Sequence, residues 1–363
     1  MTIQKKTLLE SLKKALPGVE SGNVVLQGAD TFAFHDGKIF SYNDAISVTV
    51  PIDSEGLVTE SIEGVVHADE FFKVISKFPG DEISLEVSDD GKSWNIKCGK
   101  AKVQMALIDF DFNVRLKGVT PDENNWIEVT EELFAGIGGC KMSVNKTPLS
   151  GVYVSGKYIV SSDGYQINRF EMKENDLPTF WISDSSVMEL MKIKGFNALQ
   201  IQDSWVHFKT EDGTVFSIKT LNKDKFPFEK INQILETSNF SDDDLHANFP
   251  AEIFNAIDRA GSFSIEISGH TSVRLTLSSE GIEVSSERTT GKYSELIPWD
   301  EGISVNINPV AVYVDATMMQ FMAQRSLEFY LIKGQMRNGK ALPRLLFVSL
   351  DSKHLMSTFD LEG

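Results

Sequence analysis

Leu149-Ser-Gly-Val-Tyr-Val-Ser-Gly-Lys-Tyr-Ile-Val-Ser-Ser-Asp-Gly-Tyr-Gln-Ile-Asn-Arg-Phe170 lies near the middle of the chain and decides how the rest is grouped. Val152 and Val154 alternate with polar neighbours, as in a half-buried strand. Ser155-Gly156 predicts a turn, and Tyr158, Ile159 and Val160 a second strand. Ser162-Asp163-Gly164 predicts a tight turn, with Gly supplying the positive φ that a Cβ disfavours. Ile167 and Phe170 then begin a third strand. The stretch is a β-meander with an exposed Asp-Gly corner. Such a corner is ordinarily only a turn. Its meaning comes from what repeats around it.

A helix followed by three short strands recurs along the chain. Leu8, Leu9, Leu12, Ala15 and Leu16 fall on one face of a helix over residues 7–16. Strands follow around 31–34, 38–42 and 46–50. Residues 68–78 form the next helix, closed by Pro79-Gly80. The third runs from Thr130 to about Met142 and leads into the meander above. The fourth runs from Asp184 to Lys194, with Ser183 as its N-cap. Pro250 opens the fifth at a first helical position, and the sixth runs from Pro309 to about Gln324. One such unit cannot bury both its helix stripe and its sheet face, so the units are expected to pair. The expected architecture is α+β, with three domains at 1–122, 123–243 and 244–363. The boundaries fall in the polar, acidic stretches Thr120–Asn125 and Ser241–Asp244.

Composition sets the limits. The chain has 363 residues, 41% of them hydrophobic and 24% charged, the balance of a soluble globular protein. No apolar run approaches the roughly 20 residues that cross a bilayer. The two cysteines, Cys98 and Cys140, suggest neither a disulfide frame nor a zinc site, and predict a cytoplasmic protein. The formal net charge of −17 taken alone argues against a nucleic-acid binder, unless cations gather on one face. They do gather on the expected helices: Lys5, Lys6, Lys13 and Lys14 on the first, Lys73 and Lys77 on the second, Lys141 and Lys146 after the third, and Lys192 and Lys194 on the fourth. Arg259 and Arg325 end the fifth and sixth. Domain three is the weakest, since Glu252 and Asp258 sit near Arg259.

At this length and with this order of units, the chain resembles the bacterial-type DNA sliding clamp, the β subunit of DNA polymerase III. Ala68-Asp-Glu-Phe-Phe-Lys-Val-Ile75 followed by Phe78-Pro79-Gly80 is similar to the second half of that family's first domain. Leu149-Ser-Gly-Val152 and Ser162-Asp-Gly-Tyr-Gln-Ile167 stand where the family carries Leu-x-Gly-hydrophobic and Thr-Asp-Gly-His-Arg-Leu. Lys225-Phe-Pro227, the stretch from Asn308 to Met322, and Leu355 to Phe359 complete the order. The departures mark a divergent member, of a kind a phage could carry. Tyr165-Gln166 replaces His-Arg, and Ser357-Thr-Phe-Asp360 replaces the usual Met-Pro-Met-Arg.

The resemblance implies a non-catalytic processivity factor for DNA polymerase. It implies a ring of two identical chains around duplex DNA, with the helix cations facing phosphates and a clamp loader as a further partner. Its dimer contact implies that Val103 and Met105 meet Ser262 and Phe263. Its partner-peptide pocket carries over to Leu149, Ser162, Gly164, Tyr165, Gln166, Ile167, Pro227, Leu355, Met356, Ser357, Thr358 and Phe359. Among these, Leu149, Ile167, Leu355, Met356 and Phe359 are apolar residues beside turns or near the chain end, as a peptide cleft requires. The competing expectation is a β-rich structural or adhesive repeat protein, which has no use for cations repeated on its helices. No metal or cofactor is expected. The histidines lack ligand spacing, and Gly136-Ile-Gly-Gly139 lacks the Lys-Ser/Thr of a phosphate loop.

Overall fold

The computed structural model describes residues 1–363 except 21, 23–25, 53–61, 142–146, 175, 268–269, 302–304, 306, 324–325, 335, 338–339 and 360–363. The first repeat consists of β1 (Thr2–Gln4), α1 (Lys5–Ala15), β2 (Thr31–His35), β3 (Lys38–Asn43) and β4 (Ile46–Pro51). The second has β5 (Gly64–His67), α2 (Ala68–Lys77), β6 (Glu82–Val87), β7 (Ser93–Cys98) and β8 (Ala101–Ala106), then the short α3 (Asn113–Leu116). The third has β9 (Ile127–Glu128), α4 (Glu131–Cys140), β10 (Val152–Gly156), β11 (Tyr158–Ser162) and β12 (Gln166–Glu171). The fourth has β13 (Leu177–Ile182), α5 (Asp184–Leu190), β14 (Phe196–Gln202), β15 (Trp205–Thr210) and β16 (Val215–Lys219), followed by α6 (Phe228–Thr237). The fifth has β17 (Leu245–Asn248), α7 (Ile253–Gly261), β18 (Ile265–Ile267), β19 (His270–Ser278), β20 (Gly281–Arg288) and β21 (Gly291–Pro298). The sixth has β22 (Val310–Asp315), α8 (Ala316–Ala323), β23 (Glu328–Ile332), the small hairpin of β24 (Met336–Arg337) and β25 (Lys340–Ala341), β26 (Arg344–Val348) and β27 (Ser352–Ser357).

Each repeat therefore has a leading strand that the three-strand pattern did not anticipate. These strands are exchanged within pairs of repeats. β1, ahead of α1, pairs with β6, which follows α2; β5, ahead of α2, pairs with β2, which follows α1. β9 and β13 are exchanged in the same way onto β14 and β10, and β17 and β22 onto β23 and β19. Backbone N–H and C=O groups on an open edge need partners. The exchange supplies them to both members of a pair at once.

Residues 1–138, 152–156 and 174–223 form one compact unit. It holds a sheet of order β1-β6-β7-β8, a second of order β5-β2-β3-β4-β16-β15-β14-β9, and the β10–β13 pair. Leu8, Leu12 and Ala15 recur along one face of α1 and are fully buried. Phe34, Phe71 and Trp94, from a strand, a helix and a strand, meet edge to face with centroids 5.0 to 5.7 Å apart. The Trp94 indole N–H donates to the Glu63 carbonyl at 3.2 Å, so this core leaves no polar atom of that ring unpaired.

Residues 139–151, 157–173 and 224–363 form a second unit. Its strands run β11-β12-β27-β26-β23-β17 in one sheet and β18-β19-β20-β21 in another, with β22 also on β19. Phe249 stacks on Phe329 at 3.9 Å, and Met318, Met319 and Met322 of α8 fill the core beside them.

The helices are shorter than the sequence pattern suggests. The sixth begins at Ala316, not Pro309, because Val310, Val312 and Val314 alternate and their β-branched side chains suit β22. Asp315 ends that strand and caps the helix, its Oδ1 accepting from the Met318 N–H at 2.9 Å. The fifth begins at Ile253, so Pro250 lies in the preceding turn. The fourth ends at Leu190 and the third at Cys140. Ser183 does cap the fourth, accepting from the Ser186 N–H at 3.2 Å. α6 is an addition to the repeat pattern that the sequence reading does not include.

His207 on β15 is 1% exposed, and its Nδ1 lies 2.7 Å from the Ser217 hydroxyl on β16. Burial lowers its pKa from 6.5 to about 4, so folding favours the neutral ring. That contribution is complete above pH 6.5 and is lost as the pH falls toward 4. Protonation should cost about 3 kcal/mol of stability over this window, read from urea midpoints at neutral and acid pH. His207→Gln should flatten the slope; a slope unchanged in the variant would assign the effect to other groups.

Candidate functional site

In the second unit the meander corner and the chain end are tied together. β12 lies beside β27 with Gln166 opposite Met356 and Ile167 opposite Leu355. Asp163, 3% exposed, makes an Asx turn: its Oδ1 accepts from the N–H groups of Tyr165 and Gln166, both at 2.9 Å. Its Oδ2 accepts from the Gln166 amide at 3.1 Å. Ser357 N–H donates to the Tyr165 carbonyl at 2.9 Å, Thr358 hydroxyl to the Pro343 carbonyl at 2.6 Å, and Phe359 N–H to the Tyr313 carbonyl at 2.9 Å. The Tyr165 and Phe359 rings then lie 5.8 Å apart, both half-buried. Gly164 has φ +89, and none of the described residues lies within 4 Å of where its Cβ would be.

The expected pocket residues divide by exposure. Leu149, Gly164, Tyr165, Pro227, Ser357 and Phe359 have surface to offer. Ser162, Gln166, Ile167, Leu355 and Thr358 are buried, and Met356 is sealed in the core. The Gln166 Oε1 is buried with no hydrogen-bond partner among the described residues. The sequence expectation omitted Asp163, which sets the corner. Its signal was the Asx residue three positions ahead of a strand residue.

The first unit contains the same construction. Asn43 Oδ1 accepts from the N–H groups of Ala45 and Ile46 at 3.3 and 2.9 Å, as Asp163 does from Tyr165 and Gln166. β4 lies beside β16 with Ile46 opposite Ile218. Lys219 N–H donates to the Ala45 carbonyl at 2.9 Å, and Leu221 N–H to the Trp181 carbonyl at 2.7 Å. Asp44, Ala45, Lys219 and Leu221 thus occupy the positions of Gly164, Tyr165, Ser357 and Phe359. The backbone is repeated; the side chains are not.

The helix cations are unevenly free. A concavity of about 1560 Å³ in the first unit is lined by parts of α1, α2 and α5. It gathers Lys13, Lys14, Lys192 and Lys194, but also Glu20, Asp30, Asp69, Glu70 and Glu189. Lys14 pairs with Asp212 at 2.5 Å, Lys73 with Asp69 at 2.5 Å and Lys192 with Glu189 at 2.7 Å. Burial alone would raise the Asp212 pKa, but hydrogen bonds from Lys14, Thr210 and Thr214 outweigh it and hold the carboxyl below its usual range. Lys5 donates to the Phe78 carbonyl at 2.5 Å. Among the described residues, Lys6, Lys13, Lys77 and Lys194 are exposed ammoniums with no carboxylate partner. Lys141 is half-buried just past α4; Lys146 and Arg325 lie outside the described residues. Arg259 pairs with Glu295 at 2.7 Å and donates to the Tyr293 hydroxyl at 3.0 Å, and its pKa is raised by Glu295 first and Tyr293 second.

Two strands end their sheets. β8 has β7 as its only neighbour among the described residues, with Val103 and Met105 half-buried between exposed Lys102, Gln104 and Ala106. β21 has only β20 among them. Next to it Phe263, 40% exposed, stacks on Tyr293 at 6.5 Å, and Ser262 is exposed.

Exchanged strands in paired repeats, with a continuous sheet at each junction, define the sliding-clamp fold. Over 99% of its length the chain is similar to the DNA polymerase III β chain of Streptococcus pneumoniae, covering 99% of that chain at 15% identity and a TM-score of 0.78. It is similar to the DNA polymerase sliding clamp of Bacillus subtilis at 20% identity and a TM-score of 0.74, covering 99% of this chain and 98% of that one. It is also similar to the DNA polymerase III subunit β of Pseudomonas aeruginosa at 13% identity and a TM-score of 0.76, covering 99% and 100%. No protein-family model matches the sequence, and no curated protein matches it. At these identities the likeness establishes the fold.

Asp163→Ala removes three accepted hydrogen bonds from a buried corner. It should lower the unfolding free energy by about 2–3 kcal/mol, while Asp163→Asn, which keeps an Oδ1 acceptor, should lose less. Chemical denaturation of the two variants measures the difference.

Proposed function

We propose that the chain is a processivity clamp of DNA replication, in which two copies close a ring around duplex DNA and hold the polymerase by a short peptide. The carrying observation is the sliding-clamp fold over 99% of the chain. Fold alone does not fix function. Two local features add support. Free ammoniums stand on α1, α2 and beside α5, and the junction in the second unit has an aromatic wall and a lip without side-chain bulk.

Three domains at 1–122, 123–243 and 244–363 suit the closed pairs of strand exchanges. Phosphate contacts without base-reading groups hold DNA in any register and allow sliding. Of the expected cations among the described residues, Lys6, Lys13, Lys77 and Lys194 carry most of this role, because the other described ones share their charge with a neighbouring carboxylate or carbonyl, or are half-buried. The acidic remainder of the chain keeps DNA from the outer surface. Edge strands β8 and β21 are the natural contacts between copies, bringing Val103 and Met105 against Ser262 and Phe263 of the second chain. The partner peptide lies along Leu149, Gly164, Tyr165, Pro227, Ser357 and Phe359, bound at micromolar concentration, about −8 kcal/mol. Tyr165 replaces a cation with an aromatic wall, so apolar anchors matter more than an acidic flank. A clamp loader would open the ring and engage the same pocket. No step of this role is catalytic.

The test is retention on nicked circular DNA with release on linearising it; a protein lost equally from both forms is not a clamp. Replacing both Lys13 and Lys194 by Glu should leave the circular dichroism unchanged and cut retention several-fold, more so at higher salt. Replacing Met105 and Phe263 by Ala should turn a dimer into a folded monomer by light scattering; a persistent dimer would place the contact elsewhere.

A further inference from the structure

The two junctions share their Asx turn, their strand pairing and their tail hydrogen bonds, yet differ at the mouth. In the second unit the lips are Gly164 and Ser357. In the first they are Asp44 and Lys219, whose side chains meet at 2.9 Å. Behind this bridge stand mostly apolar side chains, with the Arg115 guanidinium 6.0 Å from the Tyr42 ring. Tyr42 is half-buried with its ring 6.1 Å from that of Trp205, Leu221 is half-buried, and Ala45 is small. Both members of the bridge are exposed, so neither is required by the core. Burial first and Asp44 second raise the Tyr42 pKa, and together they outweigh Lys219 and Arg115, which lower it.

We propose that the Asp44–Lys219 ion pair is a specificity device that closes the first junction to partner segments, so that each chain offers one docking site rather than two. The proposal rests on the peptide-docking role of the second junction. A bridge from turn to tail stands at the positions between which, on the proposed docking role, an extended apolar segment would pass at Gly164 and Ser357. It also confronts apolar side chains with two charges that would have to be dehydrated. A repeated backbone would otherwise offer two similar grooves per chain, and partners would divide between them.

The probe is a synthetic acetylated hexapeptide with two leucines and a terminal phenylalanine, titrated calorimetrically into the full-length protein. The wild type should take up one peptide per chain. Asp44→Gly with Lys219→Ser should take up two. Adding Tyr165→Ala and Phe359→Ala to that pair should leave one. The charge-exchanged variant, Asp44→Lys with Lys219→Asp, keeps a bridge and should take up one. Thermal melting followed by circular dichroism establishes that each variant is folded. A folded Asp44→Gly, Lys219→Ser protein that still binds one peptide, lost when Tyr165 and Phe359 are also replaced, overturns the proposal and leaves the docking role of the second junction intact. Binding by that double variant with none by the wild type overturns the docking role and leaves the closing pair supported. Binding by neither overturns both.

Discussion

An unpaired sheet edge is what organises this protein. A helix with a meander behind it leaves one edge strand short of hydrogen-bond partners and cannot cover both faces alone. The chain answers with a leading strand in every repeat, given to the neighbouring repeat: β1 to β6 and β5 to β2, and likewise along the chain. The exchange makes pairs of repeats obligatory. It also fixes the helices, since each starts at the residue after its leading strand or within a few residues of it.

The same rule of pairing edges joins β4 to β16 and β12 to β27. Each of these joints ends at an Asx turn, and the tail of the partner strand folds over it with the same hydrogen bonds. Main-chain hydrogen bonds set the geometry of both junctions. Their chemistry is left to a few side chains at the edge of the core or outside it. Tyr165 and Phe359 at one joint are only half-buried, and Asp44 and Lys219 at the other are exposed, so these positions can differ without rebuilding the core.

Charge follows a similar economy. With a net charge of −17, the protein can use its cations only where carboxylates are absent. Lys73 and Lys192 are held by acids one helical turn away, and such exposed pairs contribute little to stability while they blunt the local field. Lys13 and Lys194 keep their charge in the same concavity. The lining of that concavity is therefore mixed in charge, with its unpaired ammoniums set among carboxylates.

The sequence by itself determined the repeat, the α+β class and roughly where the six repeat helices lie, though not their ends, because amphipathic periodicity and Gly-containing turns are local properties. It also brought out the similarity to sliding clamps, since the order of motifs survives where identity is only 13 to 20%. It did not reveal the leading strands. Thr2–Gln4 and Ile127–Glu128 are too short to show alternation, and their strand state is conferred by β6 and β14. Nor did it show that Val310–Asp315 is a strand, because the helix of Ala316–Ala323 follows it without a turn. Above all, Asn43 and Asp163, or Lys219 and Ser357, cannot be matched along the chain: their likeness lies in which carbonyl each N–H finds across a sheet. Contacts between residues more than a hundred positions apart are decided by tertiary structure, and whether a groove is open or bridged is such a contact.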